Sequence, residues 1–94
     1  MEKMDAKFYG EIRKVKNDEV VPDDQWICFL AKDDAFAAIL SQYYHKCIEL
    51  RCDEQQLQAV RRMMERVFTW RVNNADKCKV PDAAGEKLLD QVSA

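Results

Sequence analysis

Turn-forming residues are scarce in this sequence: 94 residues hold 2 glycines and 2 prolines. A sandwich or barrel of short strands needs many more of both, so an all-β chain is excluded. Long apolar runs are missing as well, and no stretch approaches the roughly 18 uninterrupted apolar residues of a membrane span. Between Met1 and Lys7 charged residues alternate with apolar ones where a secretory leader would carry an apolar segment, so the expected location is the cytoplasm. An excess of one charge is lacking too. Fifteen basic against 17 acidic side chains leave a formal net charge of −2, and no global field draws the chain to nucleic acid or to an anionic membrane surface.

What is present is 48% hydrophobic and 34% charged residues, too apolar for disorder and suited to helix. The length allows a single domain, residues 1–94. The expected fold class is α+β, mainly α: an antiparallel helical hairpin with a short N-terminal β-ribbon and a short C-terminal helix.

The parts of that expectation follow from period and punctuation. Phe8, Gly10 and Ile12 alternate with Tyr9, Glu11 and Arg13, a strand pattern, and Asn17, Asp18 and Glu19 supply turn chemistry before Pro22 blocks a continuing ladder. The apolar run Trp26–Ala31 has strand length, and pairing it with Phe8–Val15 gives the ribbon. Phe36, Ile39, Leu40, Tyr43, Cys47 and Leu50 then recur at helical spacing, predicting a helix over about 35–50 with Asp33 or Asp34 as its cap. Asp53 with Gln56 three residues later opens a second helix to about Val72, whose stripe is Leu57, Val60, Met64 and Val67. Only Arg51 and Cys52 separate the two, which forces antiparallel neighbours unless the helices merge into one rod. Such a rod would be about 57 Å long at roughly 1.5 Å per residue and would need a partner chain to cover it. Asn73, Asn74, Asp76 and Pro81 mark a loop, after which Asp82 can cap a short last helix carrying Leu88, Leu89 and Val92.

Chemistry-bearing constellations are sparse. Cys28, Cys47, Cys52 and Cys78 sit in apolar or helical contexts and read as free thiols. His45, Cys47 and Cys52, with Cys28 or Cys78, are the residue types of a zinc site, but on a helix His45 and Cys47 lie about 200° apart and there is no Cys-x-x-Cys knuckle. No metal or other cofactor is expected. There is no nucleophile elbow, no glycine-rich phosphate loop and no carboxylate pair set up for acid–base work, so the chain does not read as an enzyme. Asp18, Glu19, Asp23 and Asp24 form a solvated acidic loop. Arg61, Arg62 and Arg66 form a basic strip that could take phosphate, with Arg61 able to pair with Glu65 four residues on. Arg71 continues the core stripe, which predicts that it rims the core and pairs with an acid.

The richest signal is a surplus of large side chains. Met63, Phe68 and Trp70 fall beside the stripe of the second helix, as Tyr44 and Ile48 do on the first. Two helices cannot cover them all, so other elements bury them or they form a patch for a partner. With Arg62 and Arg66 added, the candidate binding residues are Met63, Arg66, Phe68, Trp70, Tyr44 and Arg62, of the types enriched at interface hot spots.

Glu19-Val20-Val21-Pro22-Asp23-Asp24, Trp26-Ile27-Cys28-Phe29-Leu30-Ala31-Lys32-Asp33 and Lys79-Val80-Pro81-Asp82 resemble segments of a group of small uncharacterised bacteriophage and prophage proteins, the likeness spanning about two thirds of the chain. Where that group carries an arginine before the alanine, this chain has Leu30. The resemblance implies a phage or mobile-element setting, in which short helical proteins often act on a host protein. The expectation is a non-enzymatic binder of a host protein or complex, such as a host-takeover or anti-defence inhibitor. The alternatives are a homo-oligomeric structural or virion-associated component, and a nucleotide or nucleic-acid binder acting through Arg61, Arg62 and Arg66.

Overall fold

The computed structural model describes residue 5 and residues 7–83 of the chain. It divides into two compact units, a helical one spanning Phe29–Pro81 and another whose amino-terminal part runs through Cys28.

The amino-terminal unit contains a β-hairpin. Strand β1, Ile12–Arg13, pairs antiparallel with β2, Val20–Val21, with Ile12 opposite Val21. Lys14 N–H donates to the Glu19 carbonyl at 2.9 Å, and Asp18 takes the left-handed conformation, φ 61°, which aspartate tolerates better than most residues. Asn17 Oδ1 accepts from Glu19 N–H at 3.0 Å, so the turn is built from the residues that announce it. The strand partner differs from the expected one. Val20–Val21 directly follow the turn and pair first, Pro22 ends the ladder for want of an N–H, and a 3-10 turn, Asp23–Gln25, follows. Trp26–Ala31 forms no strand, and its Ile27, Phe29 and Leu30 are exposed. The run is apolar and rich in β-formers, but the strand it would have joined was already taken by the shorter loop.

The helical unit is the expected antiparallel hairpin: α1 spans Asp34–Glu49 and α2 spans Glu54–Asn73. Each helix has an aspartate cap. Asp33 accepts from Phe36 N–H at 2.9 Å and Asp53 from Gln56 N–H at 2.8 Å, satisfying amides that a helix start leaves orphaned. Asp34 meets Arg71 near the start of α1, and ten residues further along Tyr44 meets Arg61, which lies ten residues earlier in α2; this is antiparallel register. Ala37, Leu40 and Cys47 of α1 and Val60 and Val67 of α2 are buried, with Val60 only 1% exposed.

Chain reversal uses a Schellman motif: Cys52 N–H donates to the Cys47 carbonyl and Arg51 N–H to the Ile48 carbonyl, both at 3.0 Å. Arg51 occupies the left-handed position, φ 59°, that glycine usually fills. Arg51→Gly is therefore expected to stabilise the domain by about 1 kcal/mol, read as a higher urea midpoint with unchanged slope. An unchanged or lower midpoint would show that the arginine conformation carries no strain.

After α2 a 3-10 turn, Ala75–Lys77, leads the chain back across the open end of the hairpin. There Asp33 and Lys79 form a parallel bridge: Lys79 N–H donates to the Lys32 carbonyl and Asp34 N–H to the Lys79 carbonyl, both at 3.0 Å. The short helix expected over Asp82–Val92 lies, beyond Ala83, outside the described residues.

Candidate functional site

Arg71 ties the open end of the hairpin together. Its Nη2 donates to Asp34 Oδ1 at 2.7 Å and its Nη1 to the Ala31 carbonyl at 3.0 Å, so it rims the core and pairs with an acid as its place on the stripe implies. The Asp34 carboxylate raises the Arg71 pKa. The backbone bridge between Lys32-Asp33-Asp34 and Lys79 lies here too, and together with Arg71 it forms a structural clasp. Arg71→Met is expected to strip hydrogen-exchange protection from the Asp34 and Lys79 amides while leaving Val60 protected. Equal protection in the variant would mean that the backbone bridge holds without the guanidinium.

The hairpin presents two flanks, and they can be told apart from two anchoring pairs. On one, Arg61 Nη1 donates to the Tyr44 hydroxyl at 2.8 Å, and its carbon lies 5.8 Å from the centre of the Tyr44 ring. On the other, Tyr43 faces Gln56 and Cys47, and Cys47 raises the Tyr43 pKa because a thiolate there would oppose the phenolate. At about 100° per residue, Met63 and Trp70 fall on the Gln56 side of α2, roughly 60–80° from Val60, while Phe68 falls with Arg61 on the opposite side.

The structure therefore splits the six sequence-derived binding residues. Met63, Arg66 and Trp70 lie on the Tyr43 flank, with Arg62 at its outer edge, and Tyr44 and Phe68 lie on the other. Met63, Phe68 and Trp70 are each more than a third exposed. The basic strip is divided too. Arg61 points about 100° from Arg62 and 140° from Arg66. It does not pair with Glu65; instead Glu54 takes its Nη2 at 2.6 Å and raises its pKa. Glu54 lies two turns of α2 earlier, on Arg61's own side. Arg62 and Arg66 have no ion pair among the described residues.

The sequence reading missed the contribution of α1 to the Tyr43 flank. Ile39 and Tyr43, on the predicted core stripe, are 53% and 51% exposed. Phe29 stacks on Phe36 with ring centres 5.2 Å apart and planes 6° from parallel, extending the same apolar surface. The line that truly contacts α2 is Ala37, Leu40, Tyr44 and Cys47, about 80–160° round from Ile39. Its small members Ala37 and Cys47 let the helices approach closely, and that is the signal a stripe count overlooks.

Behind the flank, on the outward side of α2, a shallow open concavity is lined by Arg62, Glu65, Arg66, Thr69, Trp70 and Asn73 and meets the flank at Arg66 and Trp70. A second concavity lies in the amino-terminal unit, where Phe8, Tyr9, Trp26 and Ile27 meet Asp5, Asp23 and Asp24; the buried Trp26 Nε1 there has no hydrogen-bond partner among the described residues. All four cysteines are free thiols, and no group of three metal-binding side chains occurs among the described residues. Within those residues no helix is long and apolar enough to cross a membrane. No family model matches the chain, and neither a curated protein nor a solved structure matches it.

Proposed function

We propose that this is a non-enzymatic, cytoplasmic binding protein that acts by docking the Tyr43 flank of its helical hairpin onto another protein. The observation that carries this reading is one surface uniting Ile39 and Tyr43, half-exposed, Met63 and Trp70, each more than a third exposed, and the partly buried Phe36, with the guanidiniums of Arg62 and Arg66 beside them. Large apolar residues and arginine around a tryptophan are the composition of an interface centre. The phage resemblance supports a host protein as the target and inhibition of a host or defence complex as the outcome.

Affinity capture from a bacterial lysate, run in parallel with wild type and Trp70→Ala, tests it. A protein retained by the wild type and lost with the variant is the expected result. Retention of nothing by a folded wild type overturns the proposal. A concentration-dependent dimer mass in light scattering would instead favour the homo-oligomeric alternative. The nucleic-acid alternative is weakened because Arg61 is turned away from Arg62 and Arg66 and engaged by Glu54 and Tyr44.

A further inference from the structure

We infer that the occupant of this flank is an acidic amphipathic helix of the partner protein, an inference that rests on the protein-binding reading above. The two helices of the hairpin form one layer, and a third helix laid against it at the usual 8–10 Å separation would cover Ile39 and Tyr43 on α1 together with Met63 and Trp70 on α2. A helix meets such a surface with apolar anchors at i, i+3, i+4 and i+7, and its remaining positions face the rim.

The rim determines what those positions carry. Arg62 and Arg66 stand along the outer edge of α2 with no ion pair among the described residues, and on the α1 edge Lys46 is already matched by Glu49 at 3.7 Å. By helical position, no carboxylate of either helix falls on the apolar flank: Asp34, Glu49, Glu54 and Glu65 all lie towards the opposite side or the back. Glu65 borders the concavity behind the flank but pairs with neither arginine. The unmatched charge is thus positive and adjoins an apolar strip, which suits alternating carboxylates and large apolar residues. The hairpin helices of a second copy bring no carboxylate to the same flank, so face-to-face docking of two hairpins would leave Arg62 and Arg66 without counter-charge from those helices. A single-stranded nucleic acid would satisfy the arginines but leave Ile39, Tyr43 and Met63 against a charged backbone.

The test is a titration of the isotope-labelled full chain with two synthetic helices about four turns long, identical in their leucine anchors but carrying glutamate in one and lysine in the other. The acidic peptide is expected to shift the amides of Ile39, Tyr43 and Met63 and the indole of Trp70, and to bind at least about ten-fold more tightly than its basic twin. Arg62→Glu/Arg66→Glu is expected to reverse that order while leaving the circular dichroism spectrum unchanged. Equal binding of the two peptides, shifts centred on Tyr44 and Phe68, or tighter binding of an oligothymidylate than of the acidic peptide would each overturn the inference. The protein-binding reading is tested separately by the lysate capture. A captured protein that needs Trp70 but is indifferent to Arg66→Glu keeps that reading and removes this one, whereas a wild type that captures nothing removes both.

Discussion

Leu40→Ala is expected to cost about 3 kcal/mol of folding stability, while Ile39→Ala, one residue earlier, should cost under about 1 kcal/mol. Both residues sit on the helical stripe of α1 and carry four-carbon side chains, so a core assigned from spacing predicts similar losses. Leu40 is 3% exposed and wedged between the helices, so truncation removes its transfer free energy and leaves a cavity. Ile39 already meets solvent over half its surface, and truncation there leaves no hole. A domain of this size has only about 5 kcal/mol of stability, so the Leu40 variant should unfold at markedly lower urea. Equal midpoints for the two variants would place the helix contact on the wrong line and dissolve the flank described above.

Trp70→Ala is expected to weaken capture of the partner by about 2 kcal/mol or more, roughly thirty-fold in Kd, with little change in folding stability. Phe68→Ala, an aromatic truncation of equal exposure two residues away, should leave the affinity within a factor of about three. The contrast is geometric: the two residues point to opposite flanks of α2, about 160° apart round the helix. Isothermal titration with the captured protein measures both. If Phe68→Ala weakens binding as much as Trp70→Ala, the partner wraps the hairpin and the single-flank reading fails.

Much of the architecture was legible before any coordinates. Helix caps and turns are local chemistry: Asp33, Asp53 and Asn17 bond amides two or three residues away, so their roles can be read along the chain. Chain reversal was the expected form, but one continuous rod stayed open, because Arg51 in place of the usual glycine concealed the motif that accomplishes the turn. The long-range pair of Arg71 was visible as a charged residue on an apolar row. Its partner was not, because Asp34 lies 37 positions away. The β-ribbon went astray at its second strand. Composition favoured Trp26–Ala31, but composition cannot rank that run against two valines placed next to the turn.

What the sequence by itself determined is therefore what short-range physics specifies: two capped helical segments, a turn at Asn17–Glu19, and a surplus of large side chains that two helices cannot bury. The tertiary structure decided between a hairpin and a single rod, and how each helix is rotated about its own axis. Packing two helices closely requires small residues at the contact, so Ala37 and Cys47 turn inward with Leu40, and Ile39 and Tyr43 swing out to join Met63 and Trp70. Periodicity identifies a stripe more than 100° wide, and only contact with a second helix selects the line within it.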